Sequence, residues 1–561
     1  MIAARWPRLG AAALGFVWFV QVRGASTLNP FNTGWLFTGD LPQHWLGFLF
    51  FQREPWSFPL GSMPSLLYPV GTNIGFTDSN PLLSILVKPF ASAMPEEYQL
   101  VGLWLALCFA LQGYAGAALT STISKDAGHQ LLGGYFFALS PVLLGRLGHD
   151  TLCAQWLVLG LLYLGLREYE DAAAARRAIT LAAGSVVFAA TVHPYLAAMT
   201  WVLALAVMVR LWRTRLAGAA RVIMGAIGTT AALLGVWAII GYFARTPDGS
   251  SGFGGYTADL LTFINPREYS RLLPKLPSTP GQWEGFGFLG PGGLLALAAG
   301  LVALTRRRPT WRAGMGIFLA ACAGLGLYAL SSSVRFAGNE VVNLGWLYEP
   351  LMPIVRPFRA SGRFIWPLHY LVLAFGIWGV TRVFGRDRIH AGTVLLACVV
   401  AIQAADFDAT RWWPPKKPRP QVSMATFEMV RGHYRHVALA PPRVLGACGG
   451  DPYDEDYAYR YMLLAYRLGT TFNSGIYARL DATKARAACA AQEAAIDAGT
   501  LDPQTIYVPS ETGVERLKSA GAACGRWDGD WFCVSRAGNP RFAEFISTGK
   551  DPGASNAAGS R

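Results

Sequence analysis

Long apolar runs recur from Leu9 to about Ala405 and then stop. Most are long enough to cross a hydrocarbon core of roughly 30 Å. They predict spanning helices near 9–23, 98–120, 131–145, 152–167, 179–193, 195–210, 222–243, 290–305, 313–330, 365–381 and 391–405, about eleven in all. The 179–210 stretch is interrupted only by His193 and Pro194, so the count there is soft by one pair. The first run follows Arg5 and Arg8 like a leader. No clean small-residue cleavage site comes after it, and it is expected to remain as the first helix. The spans are nearly free of polar residues, which gather instead in the loops between them.

Beyond Asp406 the pattern changes. Trp412-Trp413-Pro-Pro-Lys-Lys-Pro-Arg-Pro reads as a linker, 406–420. Segments that alternate in type follow: strands near 436–440, 471–476 and 505–508, helices near 457–468 and 482–498, and a hairpin around 524–534 turning on Asp528-Gly529. The chain is therefore expected to be an α-helical polytopic membrane domain over 1–405 and a small α/β domain over 421–550, with a Gly/Ser/Ala-rich disordered end at 551–561.

Composition agrees. Hydrophobic residues make up 53% and charged residues only 15%, at a mean hydropathy of +0.31, where a soluble protein carries about 25% charged residues. A soluble enzyme and a nucleic-acid scaffold are excluded. The net charge of +14 changes meaning once its residues are placed. Basic residues occupy alternate short loops: Arg5/Arg8, Lys125, Arg167/Arg176/Arg177, Arg210/Arg213/Arg215/Arg221, Arg306/Arg307/Arg308/Arg312 and Arg382/Arg386/Arg388. By the positive-inside rule these face the cytoplasm with the N-terminus. Loops 24–97, 146–151, 244–289 and 331–364 then face outward with the tail. No nucleic-acid partner is implied.

The cysteines fit that topology. Cys108, Cys153, Cys322 and Cys398 fall in apolar spans and read as buried thiols. Cys448, Cys489, Cys524 and Cys533 all fall in the exported tail and suggest two disulfides. The hairpin turn favours Cys524 with Cys533, leaving Cys448 with Cys489, although three connectivities are open.

Candidate chemistry lies in the outward loops. The first contains Asp40, His44, Arg53, Glu54 and Asp78, with two short helices expected flat at the interface, 42–52 and 81–93. Asp40 and Asp78 each precede a proline-containing helix start and suit a cap as well as a catalytic carboxylate; for Asp78 the cap is the better reading. His44 stands one turn after Asp40. The short second loop is Arg146-Leu-Gly-His149-Asp150, readable as a helix end or as part of a site. His193-Pro194 reads as a kink. Glu284 lies among Trp and Gly. Arg356, Arg359 and Arg363 precede a span and would suit either ordinary anionic headgroups or a specific lipid phosphate, since guanidinium binds phosphate through two hydrogen bonds. Neither a zinc-ligand spacing nor a nucleotide-binding loop is present. Gly249-Ser-Ser-Gly-Phe-Gly-Gly reads as a loop rather than a phosphate cradle.

A carboxylate soon after the first span, a long first outward loop with two interfacial helices and a second acid after the third span together resemble the GT-C superfamily of polytopic glycosyltransferases. Asp40 matches the first acid and Asp150 the second. The stretch Gly39–Pro89, with Trp283-Glu284-Gly285-Phe-Gly-Phe-Leu-Gly290, resembles an uncharacterised bacterial membrane family within that superfamily. The resemblance covers roughly 1–405. It implies a polyprenyl-phosphate-linked sugar donor, a glycan, lipid or protein acceptor, and catalysis at the outer face of a bacterial inner membrane. It implies Asp40 as general base and Asp150 as a second acidic contact. From the loops themselves, His149 is expected beside Asp150, His44, Arg53, Glu54, Asp78 and Glu284 near the substrate, and Arg359 and Arg363, with Arg356, at the donor phosphate. No Asp-x-Asp pair stands in the first loop, so no metal ligand and no definite cofactor is assigned and a divalent metal is left open. Two rivals differ in kind: a lipid-linked glycan flippase, which would carry ionisable residues in mid-span and repeated halves, and a non-catalytic envelope-assembly protein, which would tolerate Asp40→Asn.

Overall fold

A computed structural model describes residues 6–37, 39–243, 252–306, 314–384, 389–407, 422–424, 427–449 and 455–549. Arg5, Gly249–Ser251, Arg307, Arg308, Arg312, Arg386, Arg388, most of the expected linker (408–420) and the expected disordered end (551–561) lie outside the described residues. The chain divides into two compact units. One comprises Met1–Trp35, Tyr98–Trp237 and Ser250–Pro415; the other comprises Leu36–Glu97, Ala238–Gly249 and Lys416–Arg561.

The first unit is helical. Among the described residues, six helices are long and apolar enough to cross a membrane: Val101–Thr120, Ala172–Val192, Pro194–Arg213, Ala219–Ile240, Ser361–Val380 and Ile389–Asp406. The count of about eleven is therefore not confirmed. The other expected spans are helical but weaker as spans. Trp6–Arg23 is diluted by its arginines, and Asp150–Leu166, Gly290–Arg306 and Met315–Ala329 are shorter. The run expected at 131–145 is two helices, Ala127–Ala138 and Pro141–Leu144, because Pro141 cannot continue the first one. Ala172–Val192 begins before its apolar run: the Asp171 side chain accepts from Ala174 N at 2.6 Å and caps the helix there. Arg176 and Arg177 thus sit on its first turns rather than in a loop. Trp6–Arg23 crosses Val101–Thr120 closely, since a Cβ on Gly15 would lie 2.3 Å from Phe109 O. Cys108, Cys153 and Cys322 are buried thiols, but Cys398 is exposed on the outer side of its apolar helix.

The second unit joins the first loop to the tail. Leu41–Arg53 and Pro81–Val87, the latter continued as a tighter turn over Lys88–Ala93, form close to the expected boundaries. The first differs in setting: every residue from Leu41 to Gln52 is buried, so it is a core helix and not a half-exposed interfacial one. The tail helix Glu455–Leu468 packs on it, with Phe50 edge-on to Tyr466 and Tyr459 Oη donating to Gln43 Oε1 at 3.1 Å. The tail sheet runs in the order Thr471–Phe472, His436–Ala440, Thr505–Pro509, Asp530–Ser535, Ala522–Trp527; its first three strands are parallel and the rest antiparallel.

The strand expected over 471–476 stops after two residues. Asn473 replaces the backbone ladder, its side chain accepting from Leu439 N at 3.0 Å and donating to Leu439 O at 3.1 Å. The exposed edge is covered by the first loop. Phe472 N donates to Ser65 O (2.8 Å) and Tyr68 N to Phe472 O (3.0 Å). The disulfides are Cys448–Cys489 and Cys524–Cys533, the latter bridging opposed residues of the hairpin.

Candidate functional site

In the first unit two arginines, Arg146 and Arg363, converge on one buried carboxylate, that of Glu284. Glu284 closes a short turn, Pro280–Gly285, which starts from Thr279 with Gln282 in a reciprocal capping box. Arg363 lies in the turn Ser361–Ile365 at the head of a span. Its guanidinium holds Glu284 as a fork, Nε to Oε2 at 2.8 Å and Nη2 to Oε1 at 2.6 Å. Arg146 completes the group: Nη1 lies 2.8 Å from Oε2, and Nη2 donates to Glu284 O at 3.0 Å. All three side chains are buried.

Two glycines allow this approach. Gly285 follows Glu284, and Gly362 precedes Arg363. A Cβ on Gly362 would meet Gly285 Cα at 2.6 Å, and one on Gly285 would meet Thr257 O at 2.4 Å. The two turns touch backbone to backbone, and a side chain at either position would part them. Aromatic rings wall the group. Arg146 lies 4.5 Å from the Trp283 ring centre and Arg363 4.7 Å from that of Tyr195, whose hydroxyl accepts from Ala360 N at 2.8 Å.

Burial alone would push the Glu284 carboxyl up. The charges and hydrogen bonds of Arg363 and Arg146 outweigh it and hold the group at about 2, against an ordinary 4.5. Glu284 is ionised at any physiological pH, and two guanidiniums share its carboxylate.

The three arginines before the last loop's span are graded in burial. Arg356 is exposed, Arg359 is half-buried with its guanidinium 5.8 Å from the Tyr256 ring centre, and Arg363 is buried. His149 is buried, its Nδ1 3.2 Å from Thr151 Oγ1 and its ring 5.5 Å from that of His193. His193 Nδ1 accepts from Tyr195 N at 3.2 Å, capping the helix that starts at Pro194, as the kink reading expects. Asp150 is buried at the start of a helical turn, and its carbonyl accepts from Trp104 Nε1 at 3.1 Å.

In the second unit Asp40 stands at the N-terminus of Leu41–Arg53, and its side chain makes no capping hydrogen bond. His44 is buried one turn on. Asp78 is not the cap of the next helix: Asn80 is, its side chain accepting from Leu83 N at 3.4 Å. Asp78 instead adopts φ +55° and lies in electrostatic reach of Tyr242, as does Arg479.

Arg53 and Glu54 are at the far end of the helix from Asp40. Its 13 residues rise about 20 Å. Arg53 pairs with Glu96 at 2.7 Å, stacks on Tyr466 and donates to Tyr466 O, while Glu54 accepts from Ser65 N at 3.0 Å and from the Ser65 hydroxyl. The Arg53–Tyr466 contacts tie loop to tail. The tail also holds a cavity of about 270 Å³ alongside Ala485, Ala488 and Gln492, where Tyr68 stacks on His436 at 4.3 Å. Burial pushes the His436 imidazole below its ordinary value, with Asp502 opposing the shift.

Arg146 and Tyr195 carry no assigned role in the sequence reading. Their signal was available only as a basic residue in a very short loop and a tyrosine just after a helix break.

Residues 12–408 match the family described as "Domain of unknown function (DUF6311)", and residues 427–535 match the "DUF6311 C-terminal domain". No curated protein matches. Among solved structures the chain is similar to the crystal structure of the Archaeoglobus fulgidus oligosaccharyltransferase in complex with Zn and sulfate. The two share 12% identity and a TM-score of 0.41, over 96% of this chain and 76% of that one.

Proposed function

This chain belongs to the DUF6311 family, and from that premise we propose that it is a membrane glycosyltransferase acting on a polyprenyl-phosphate-linked sugar. The acceptor is a hydroxyl of a glycan, lipid or protein, and the reaction takes place at the outward face of a bacterial inner membrane with the N-terminus cytoplasmic. The acceptor oxygen attacks the anomeric carbon, the bond from that carbon to the phosphate oxygen breaks, and the phosphate leaves with the electron pair. Asp40 takes the hydroxyl proton. Arg359, with the Arg146–Glu284–Arg363 group behind it, stabilises the departing phosphate. Asp150 and His149 are further polar contacts. The lipid phosphate ester is itself the activated donor, so no nucleotide is needed on that face.

The observation that carries this reading is the run of arginines graded in burial beside the Glu284 group, from exposed Arg356 through half-buried Arg359 to buried Arg363. Phosphate suits the fork geometry of arginine.

The test is glycan and lipid analysis of a deletion strain complemented with wild type or with Asp40→Asn. The variant is expected to express and to bind donor yet give no transferred product. Normal glycan in the Asp40→Asn strain would overturn the mechanism and would favour a carrier or an assembly role for the same phosphate-binding group.

A further inference from the structure

Residues 333–355 form a hairpin, Ser333–Phe336 with Asn339–Asn343, followed by three short helical turns, Gly345–Tyr348, Glu349–Leu351 and Met352–Val355. The turn of the hairpin is tied down. The Asp259 carboxylate accepts from Ala337 N (3.3 Å) and Gly338 N (3.0 Å), Leu260 N donates to Arg335 O at 2.9 Å, and the Ser333 hydroxyl bonds Glu340. The segment is thus held in a defined pose. In that pose it leaves Phe336, Val341, Val342, Trp346, Leu351 and Ile354 uncovered, with Trp346 72% and Ile354 71% exposed. So many large apolar side chains on one short stretch mark an interaction surface.

Chain continuity limits how far it lies from a span. The apolar helix Met315–Ala329 ends four residues before Ser333, and the span Ser361–Val380 begins six residues after Val355. At about 3.3 Å per extended residue, neither end of the segment can lie more than about 20 Å from the end of a membrane helix. The interfacial layer on each side of a bilayer's hydrocarbon core is about 5–8 Å deep. The composition is that of an interfacial element: Trp and branched aliphatics, then an exposed arginine, Arg356, at the edge nearest the span.

We infer that the 336–354 face is seated in the bilayer leaflet, with its apolar side chains at the acyl boundary and Arg356 among the lipid phosphates. Because Arg359 and Arg363 follow with increasing burial, the segment delivers anionic lipid headgroups toward the Glu284 group. The leaflet contact does not depend on the transfer reading.

Full-length protein carrying Cys398→Ser is placed in nanodiscs, and a bimane label is attached at Trp346→Cys or, separately, at Ile354→Cys. Two reference labels are used, at Val394→Cys on the exposed side of Ile389–Asp406 and at the exposed Lys518→Cys. Brominated lipid is expected to remove most of the fluorescence at 346 and 354, as at 394, while aqueous iodide leaves it. Quenching by iodide without brominated lipid, as at 518, overturns the inference. Protection from both quenchers also overturns it, since a second copy or another protein would then cover the face.

Discussion

Arginine–carboxylate pairs do opposite work in the two units. Glu284, Arg146 and Arg363 are buried together. Arg467–Glu97, which clasps the first loop to the tail, and Arg53–Glu96, within that loop, are partly exposed. Exposed pairs contribute about 0–1 kcal/mol each because water screens both partners, so the clasp depends on the apolar helix beneath it. A buried group is different. Removing one member leaves the others buried beside the gap. The same side chains therefore read as fastening in one place and as chemistry in the other.

The contrast predicts effects of graded size. Glu284→Ala removes the carboxylate that both buried guanidiniums hold and is expected to destabilise by about 3–5 kcal/mol. Thermal unfolding in detergent, followed with a thiol-reactive dye on the buried Cys108, Cys153 and Cys322, reads it directly; a loss below about 1 kcal/mol would erase the distinction between the two regions.

Acid sharpens the point. The Glu284 carboxyl is held down at about 2 in the folded chain against an ordinary 4.5, so the unfolded chain binds its proton first. Its contribution is complete above about 4.5 and is lost as pH falls through about 2. Wild type should lose stability across that window relative to Glu284→Gln, which lacks this titration; parallel pH profiles for the two would contradict it.

Next in size is Gly362→Ala. The new Cβ meets the Gly285 backbone at 2.6 Å, and the overlap should cost about 1–3 kcal/mol while weakening the hold of Arg363 on Glu284. The smallest effect is expected at the clasp. A double-mutant cycle over Arg467→Ala and Glu97→Ala should give a coupling of about 0.2–1 kcal/mol that shrinks with added salt. A coupling of several kcal/mol there would show that the clasp behaves like the buried group.

Local pattern carried the tail elements and the apolar runs. His436–Ala440 and Ala482–Asp497 fall almost where alternation and composition put them, and Asp528-Gly529 located the hairpin and its disulfide. Short-range signals of that kind sit within a few residues of what they specify. The span count was less legible, because hydropathy alone does not register the break Pro141 makes or how far Asp171 extends a helix. The Glu284 group was invisible for a different reason. It joins residues 79 and 138 positions apart, and no periodicity links them. Its nearest trace is a glycine beside each charge, in Glu284-Gly285 and Gly362-Arg363, a mark of turns that must touch. Leu41–Arg53 was placed correctly but misread as half-exposed, since the helix that covers it lies in the tail.

That last feature bears on how the chain is made. Arg53 bonds a residue 413 positions later. At about 5–20 residues per second, the helix leaves the ribosome about 20–80 s before its cover is synthesised. Through that interval twelve consecutive residues meant for an interior have no partner helix, so the nascent loop is a natural client for a holding chaperone, and completion of the tail releases it.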